Sequence, residues 1–144
     1  MNTSTSAAQA SDSTAFSALP LSPEMLANLQ QLGYAQMTPI QAASLPLALA
    51  GADLIAQAKT GSGKTAAFAL ALLDRLNARS FAVQALVLCP TRELADQVAT
   101  EIRRLARAEE NIKVVTVYGG VPSRNQIASL ENGAHIIVGT PGRV

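Results

Sequence analysis

"AQAKTGSGKT", residues 56–65, decides how the rest of this chain is read. It joins an apolar run, "DLIAQA" (53–58), to a second one, "KTAAFALALLDRLNAR" (64–79). The first run predicts a short buried strand and the second a helix. Gly61 and Gly63 between them let the main chain turn tightly and bring N–H groups close to an anion. Those N–H groups stand at a helix start, where the macrodipole also favours negative charge. From there Lys64 can reach β- and γ-phosphates, and the Thr65 hydroxyl can hold Mg²⁺. The phosphate-loop pattern G-x-x-x-x-G-K-[ST] asks for glycine at position 58, where this chain has Ala58. The competing reading of the same residues is a flexible Gly-Ser turn.

On both sides of this loop, elements alternate. Ser22 and Pro23 start a helix that Gly33 ends; Thr38 and Pro39 start a second that Gly51 ends, with a bend expected at Pro46. Beyond residue 79 come strands over 84–89, 113–118 and 135–140 and helices over 92–107 and 122–132. Leu94, Val98, Ile102 and Leu105 recur at helical spacing. Strands alternating with helices imply parallel pairing through right-handed crossovers. The strands read as continuous apolar runs, as strands covered on both faces do. The expected fold is α/β: an open, mostly parallel sheet with helices on both faces, binding ligands beyond the carboxyl ends of its strands.

Composition sets limits. A chain of 144 residues suits one domain, and 49% hydrophobic against 15% charged residues supports a core. The net charge of +1 means that any nucleic-acid surface must be local. Residues 1–14 are Ser/Thr/Ala-rich, without the basic start and apolar run of a signal peptide, and are expected to be a disordered tail ahead of a domain over 15–144. No charge falls between Glu24 and Asp53, but glutamines, prolines and Gly33 break that span, so a membrane helix of about 20 apolar residues is not expected. The one cysteine, Cys89, sits in "ALVLC" and reads as a buried, reduced thiol in a cytoplasmic protein. His135, the one histidine, has no partners at metal-ligand spacing. Arg103, Arg104 and Arg107 have Glu101, Glu109 and Glu110 close by and read as a solvated helix face.

The loop specifies phosphate without specifying a base. Upstream, in "GYAQMTPIQ" (33–41), the Gln41 amide can both donate to and accept from an adenine edge, and Tyr34 can stack on the ring. Read alone, Gln41 is equally an ordinary helix residue and Tyr34 an ordinary core aromatic.

Phe16, "GYAQMTPIQ", "AKTGSGKT", "PTRELA", "GG" and "TPGR" occur in the order found in DEAD-box RNA helicases, and from about Phe16 onward the chain resembles the first recA-like domain of that family. The stretches "QAKTGSGKTAAF" and "QALVLCPTRELADQV", followed by "RRLAR", narrow the resemblance to a bacterial member linked to ribosomal RNA. The resemblance implies an ATP-dependent, RNA-stimulated hydrolase that locally unwinds RNA duplexes. Phe16 would pack on the adenine side, Tyr34 would stack on the base and Gln41 would bind its polar edge. Ala58, Lys59, Thr60, Gly61, Ser62, Gly63, Lys64 and Thr65 would wrap the phosphates of ATP, with Lys64 and Thr65 nearest the chemistry and Thr65 on Mg²⁺. Ala58 is what the family usually carries there.

The resemblance also implies RNA contacts from Pro90, Thr91 and Arg92 of "PTRELA", from Gly119 and Gly120, and from Thr140, Pro141, Gly142 and Arg143 of "TPGR". All three segments follow predicted strands, so they gather on one rim. Hydroxyls, guanidinium groups and glycine-bared N–H groups suit sugars and phosphates, and backbone contacts make binding sequence-tolerant and salt-sensitive. The alternative is that Pro, Gly and Thr merely punctuate strand–helix turns.

The family's acidic "DEAD" and later "SAT" motifs do not occur here, and phosphoryl transfer needs such a carboxylate to hold Mg²⁺. The expectation is an N-terminal portion of a helicase that lacks turnover by itself and exposes an unpaired sheet edge. Two other classes stay open: a P-loop kinase or small-molecule NTPase, and a non-catalytic nucleotide-binding module.

Overall fold

The computed structural model describes residues 14–144. The expected tail falls outside them except for Thr14, whose carbonyl accepts the Met37 N–H at 2.8 Å. The chain divides into two units, Met1–Asp74 and Arg75–Val144.

In the first unit a short 3-10 helix, Phe16–Ala18, precedes α1 (Pro23–Gln31), α2 (Pro39–Leu49) and α3 (Lys64–Arg75). Ser22 caps α1 by accepting the Met25 N–H at 3.1 Å, and Pro23 takes the first helical position. Gly33, at φ 87°, ends α1. Its N–H reaches Gln30 and that of Tyr34 reaches Leu29, the paired bonds that close a helix through a left-handed residue. Gly51 ends α2 in the same way, with bonds to Ala48 and, through Ala52, to Leu47. α2 continues through Pro46 without ending there. The unit buries Phe16, Met25, Leu29 and Leu45, and α3 buries Ala66, Ala67, Ala69, Leu70, Ala71 and Leu73.

The strand expected over 53–58 is not formed. Residues 53–57 are exposed, Ile55 at 97%. A strand exists through bonds to a neighbouring strand, and none of the described strands pairs with this segment, so its apolar composition has no ladder to join. α3 also stops short of the expected residue 79. Asn77 interrupts it by accepting the Arg79 N–H on its side-chain oxygen, while the Gln84 amide bonds the N–H and C=O of Asn77 and the Ser80 carbonyl.

The second unit holds β1 (Ala85–Leu88), α4 (Arg92–Ala106), β2 (Val114–Val117), α5 (Ser123–Glu131) and β3 (Ile136–Gly139). The sheet is parallel throughout, in the order β1-β3-β2. α4 packs on β2 and β3 through the apolar stripe that includes Ala95, Val98, Ala99, Ile102 and Leu105. α5 packs on β2, where Leu130 meets Val115 and Val117, with Ile137 beside them.

His135 holds the start of this sheet. It is fully buried, accepts the Lys113 N–H on Nδ1 at 3.0 Å and lies 2.9 Å from the Ala78 carbonyl through Nε2. Its ring packs on Phe81 at 4.8 Å. Both ring nitrogens are therefore committed to the main chain. Cys89 is buried as expected, and burial pushes its thiol pKa up.

Candidate nucleotide-binding loop and nucleic-acid interface

The phosphate loop begins at a half-buried Ala58 and continues through exposed Lys59, Thr60 and Gly61. Lys59 anchors a tight turn, its carbonyl accepting from both the N–H and the hydroxyl of Ser62. Gly61 and Gly63 stand at φ 81° and 87°, a conformation that costs other L-residues about 1–2 kcal/mol. Gly63 then leads into α3, its carbonyl taking the Ala67 N–H at 3.2 Å as the first helical bond. The main-chain N–H groups of Lys64, Thr65 and Ala66 thus lie in the first turn, where a helix supplies no acceptors of its own. Lys64 is exposed and Thr65 half-buried at this end. The arrangement suits a polyphosphate: main-chain N–H groups at the positive end of a helix, and the exposed Lys64 next to the Thr65 hydroxyl.

Gln41 ties this loop to the residues ahead of it. Its side chain is 1% exposed. Oε1 accepts the Thr38 N–H at 2.9 Å, which closes the start of α2, and Nε2 donates to the Gly63 carbonyl at 3.1 Å. A primary amide has two N–H groups and two acceptor lone pairs, so among the described residues one of each is left uncommitted. Tyr34 leaves α1 half-buried and meets the buried Phe16 edge to face, centroids 6.0 Å apart at 85°. Phe16, Tyr34, Gln41 and Gly63 thus belong to one unit and are linked in pairs.

In the second unit the strands end abreast: Leu88 pairs with Gly139, and Gly139 with Val117. The next residues open the three candidate RNA segments, Cys89–Pro90–Thr91–Arg92, Thr140–Pro141–Gly142–Arg143 and Tyr118–Gly119–Gly120. Strands stand about 4.8 Å apart, so the segments start side by side on the carboxyl rim. Pro90, Thr91, Arg92, Gly119, Gly120, Pro141 and Gly142 are exposed; Thr140 and Arg143 are half-buried. Thr91 also serves the turn itself, its hydroxyl oxygen accepting the Leu94 N–H at 3.2 Å to cap α4.

Side chains stitch the rim together. Arg143 Nη1 donates to the Val121 carbonyl at 3.2 Å, and the Arg92 guanidinium lies 4.9 Å from the Tyr118 ring centre. Gln126 on α5 donates from Nε2 to the Tyr118 carbonyl at 2.8 Å. Tyr118 and Gln126 escape a reading of sequence alone; the one signal is an aromatic directly ahead of a glycine pair. Arg103, Arg104 and Arg107 are exposed, in keeping with a solvated face, and Arg103 also donates from Nη2 to the Val114 carbonyl at 3.0 Å. Among the described residues no group of three or more His, Cys, Asp or Glu side chains is placed to hold a metal ion, and no helix is long and apolar enough to cross a membrane.

The chain is 61% identical over 132 residues to the ATP-dependent RNA helicase DbpA of Escherichia coli K12, covering 91% of this chain and 29% of that protein. It is 48% identical over 129 residues to the DEAD-box ATP-dependent RNA helicase CshA of Streptococcus pneumoniae TIGR4, covering 90% of this chain and 24% of that one. The crystal structure of a DEAD box protein from Methanococcus jannaschii superposes with a TM-score of 0.84 at 43% identity, over 90% of this chain and 35% of that chain. The chain therefore spans about a third or less of these relatives. The family model for DEAD/DEAH box helicases matches residues 38–144, and this chain belongs to that family.

Proposed function

We propose that residues 58–65 bind the phosphates of ATP, that Phe16, Tyr34 and Gln41 select its adenine, and that the rim of Pro90–Arg92, Gly119–Gly120 and Thr140–Arg143 grips RNA through its backbone. The observation that carries this reading is the bond from Gln41 to the Gly63 carbonyl. It joins the segment ahead of the loop to the loop itself, and it leaves on Gln41 one donor and one acceptor, the pair that an adenine edge complements.

The residues divide the work. Backbone N–H groups of the loop and the start of α3 take phosphate oxygens, Lys64 neutralises charge on the outer phosphates, and Tyr34 offers a ring face to the base. Thr65 would hold Mg²⁺ together with the nucleotide, and such an ion would supply positive charge beside the phosphates. Thr140, Arg92 and Arg143 would meet sugars and phosphates, which carry no sequence information. For the whole protein we propose ATP-dependent local unwinding of RNA, ribosomal RNA included, in the cytoplasm.

Competition against a fluorescent ATP analogue tests the reading. ATP should displace the probe at least tenfold better than GTP, Lys64→Ala should weaken ATP about tenfold or more, and Gln41→Ala should narrow the ATP/GTP ratio. Equal competition by GTP would remove the adenine assignment, and an unaffected Lys64→Ala variant would remove the phosphate assignment.

A further inference from the structure

We infer that Tyr118 and Gln126 are positioning residues for RNA binding: Gln126 sets Tyr118, and the Tyr118 ring sets the Arg92 guanidinium at the mouth of the Gly119–Gly120 turn. This rests on the RNA reading of the rim given above and adds to it two residues that touch no ligand.

Three observations converge. The Arg92 guanidinium lies 4.9 Å from the centre of the Tyr118 ring, within the reach of a cation–π contact. The same guanidinium backs onto the turn: Nη1 stands 3.4 Å from where a Cβ on Gly120 would be. Arg92 is exposed at the start of α4, and an exposed arginine otherwise samples many rotamers. The ring and the glycine together confine it and leave its remaining N–H groups for a phosphate.

Gln126 explains why the ring stays there. The side chain is 91% buried by its 9% exposure, Nε2 holds the Tyr118 carbonyl, and Oε1 is buried with no hydrogen-bond partner among the described residues. A buried acceptor left unpaired is a cost to the fold. An apolar side chain of similar volume would avoid that cost but leave the half-buried Tyr118 carbonyl without its donor, so the two effects on stability roughly offset. The amide at this position therefore serves geometry more than stability: it pins the main chain one residue before Gly119, where the turn toward Gly120, at φ 85°, begins.

The test measures binding of a short single-stranded RNA by the full chain across a salt series, with thermal melting alongside. Arg92→Ala should weaken binding and lower the slope of log affinity against log salt by about 0.7, one phosphate contact on a single strand. Tyr118→Leu, which keeps apolar bulk without a π face, should weaken binding about threefold, and Tyr118→Phe should restore it. In the Arg92→Ala background Tyr118→Leu should have no further effect. Gln126→Met should weaken binding about twofold, again only when Arg92 is present, without lowering the melting temperature.

If Arg92→Ala acts and Tyr118→Leu binds like the unmodified chain, or acts equally without Arg92, the positioning role is overturned while the RNA reading stands. If Arg92→Ala changes neither affinity nor slope, the RNA reading of Arg92 falls and takes the positioning role with it. If Gln126→Met melts several degrees lower and binds RNA normally, Gln126 is a core residue only.

Discussion

The two candidate ligand-binding regions are held by different means. In the second unit the three candidate RNA segments hang from a ladder: β1, β3 and β2 end in register, so where each loop begins follows from main-chain bonds between residues far apart in sequence. In the first unit the candidate phosphate loop joins a regular element at one end only, among the described residues. α3 fixes its far end, but the approach over 53–57 is exposed and pairs with no described strand. From the segment ahead of it the loop is reached by an amide, Gln41, which spans 22 positions to Gly63. A loop braced by a sheet keeps its shape through many shared bonds, whereas a loop braced by a single side chain is sensitive to that side chain.

The largest expected effect breaks the braced side. His135→Ala removes a fully buried ring and leaves the Lys113 N–H and the Ala78 carbonyl without the partners they have now. The loss should be about 3 kcal/mol or more, read as a lower denaturant midpoint for the second unit. A variant as stable as the unmodified chain would show that the sheet does not depend on this residue.

A middle-sized effect sharpens the contrast inside the phosphate loop. Gly61 and Gly63 share a left-handed backbone, but a Cβ on Gly61 meets nothing within 4 Å, while one on Gly63 would run into the Gln41 side chain and Thr38 Oγ1. Gly61→Ala should cost only the backbone strain, about 1 kcal/mol. Gly63→Ala should cost that and also dislodge Gln41, so its ATP affinity should fall several-fold further in the same competition assay. Equal losses for the two would mean that Gln41 does not brace the loop.

The smallest effect concerns an edge. The Ala85 and Cys89 N–H groups point to β3, so alternation turns the main-chain groups of Leu86 and Leu88 to the free side of β1. Their side chains are 52% and 56% exposed, and no charged residue occurs from Ser80 to Pro90. Leu86→Lys should change stability by no more than about 0.5 kcal/mol and reduce self-association in light scattering. An unaltered association state would locate the contact elsewhere.

How much was legible varies with the range of the interaction concerned. Helix ends read well because Ser22, Pro23, Gly33 and Gly51 act on neighbours within about five residues. The three strands of the second unit were placed to within a residue at each end, since their apolar runs found partners. "DLIAQA" is also largely apolar, though it carries Asp53 and Gln57, and it forms no strand, because apolar composition does not supply a ladder. His135 looked unremarkable for want of metal partners; its partners are carbonyl and amide groups of the main chain, which leave no trace in side-chain spacing. Tyr118 and Gln126 were missed for the same reason, as each acts through a contact made only after β2 and α5 have packed.

The amino-acid order was enough to mark the ends of α1 and α2, the glycine-bared loop with Lys64 and Thr65 at its end, and the succession of motifs, because these depend on local dihedral preferences and on residue types at short spacing; the end of α3 was not among them. Only tertiary structure decided that Gln41 grips Gly63, that Arg92 rests on Tyr118, that His135 locks the sheet and that residues 53–57 stay unpaired. Those outcomes depend on which distant main-chain groups come within hydrogen-bond reach, and that is set by packing.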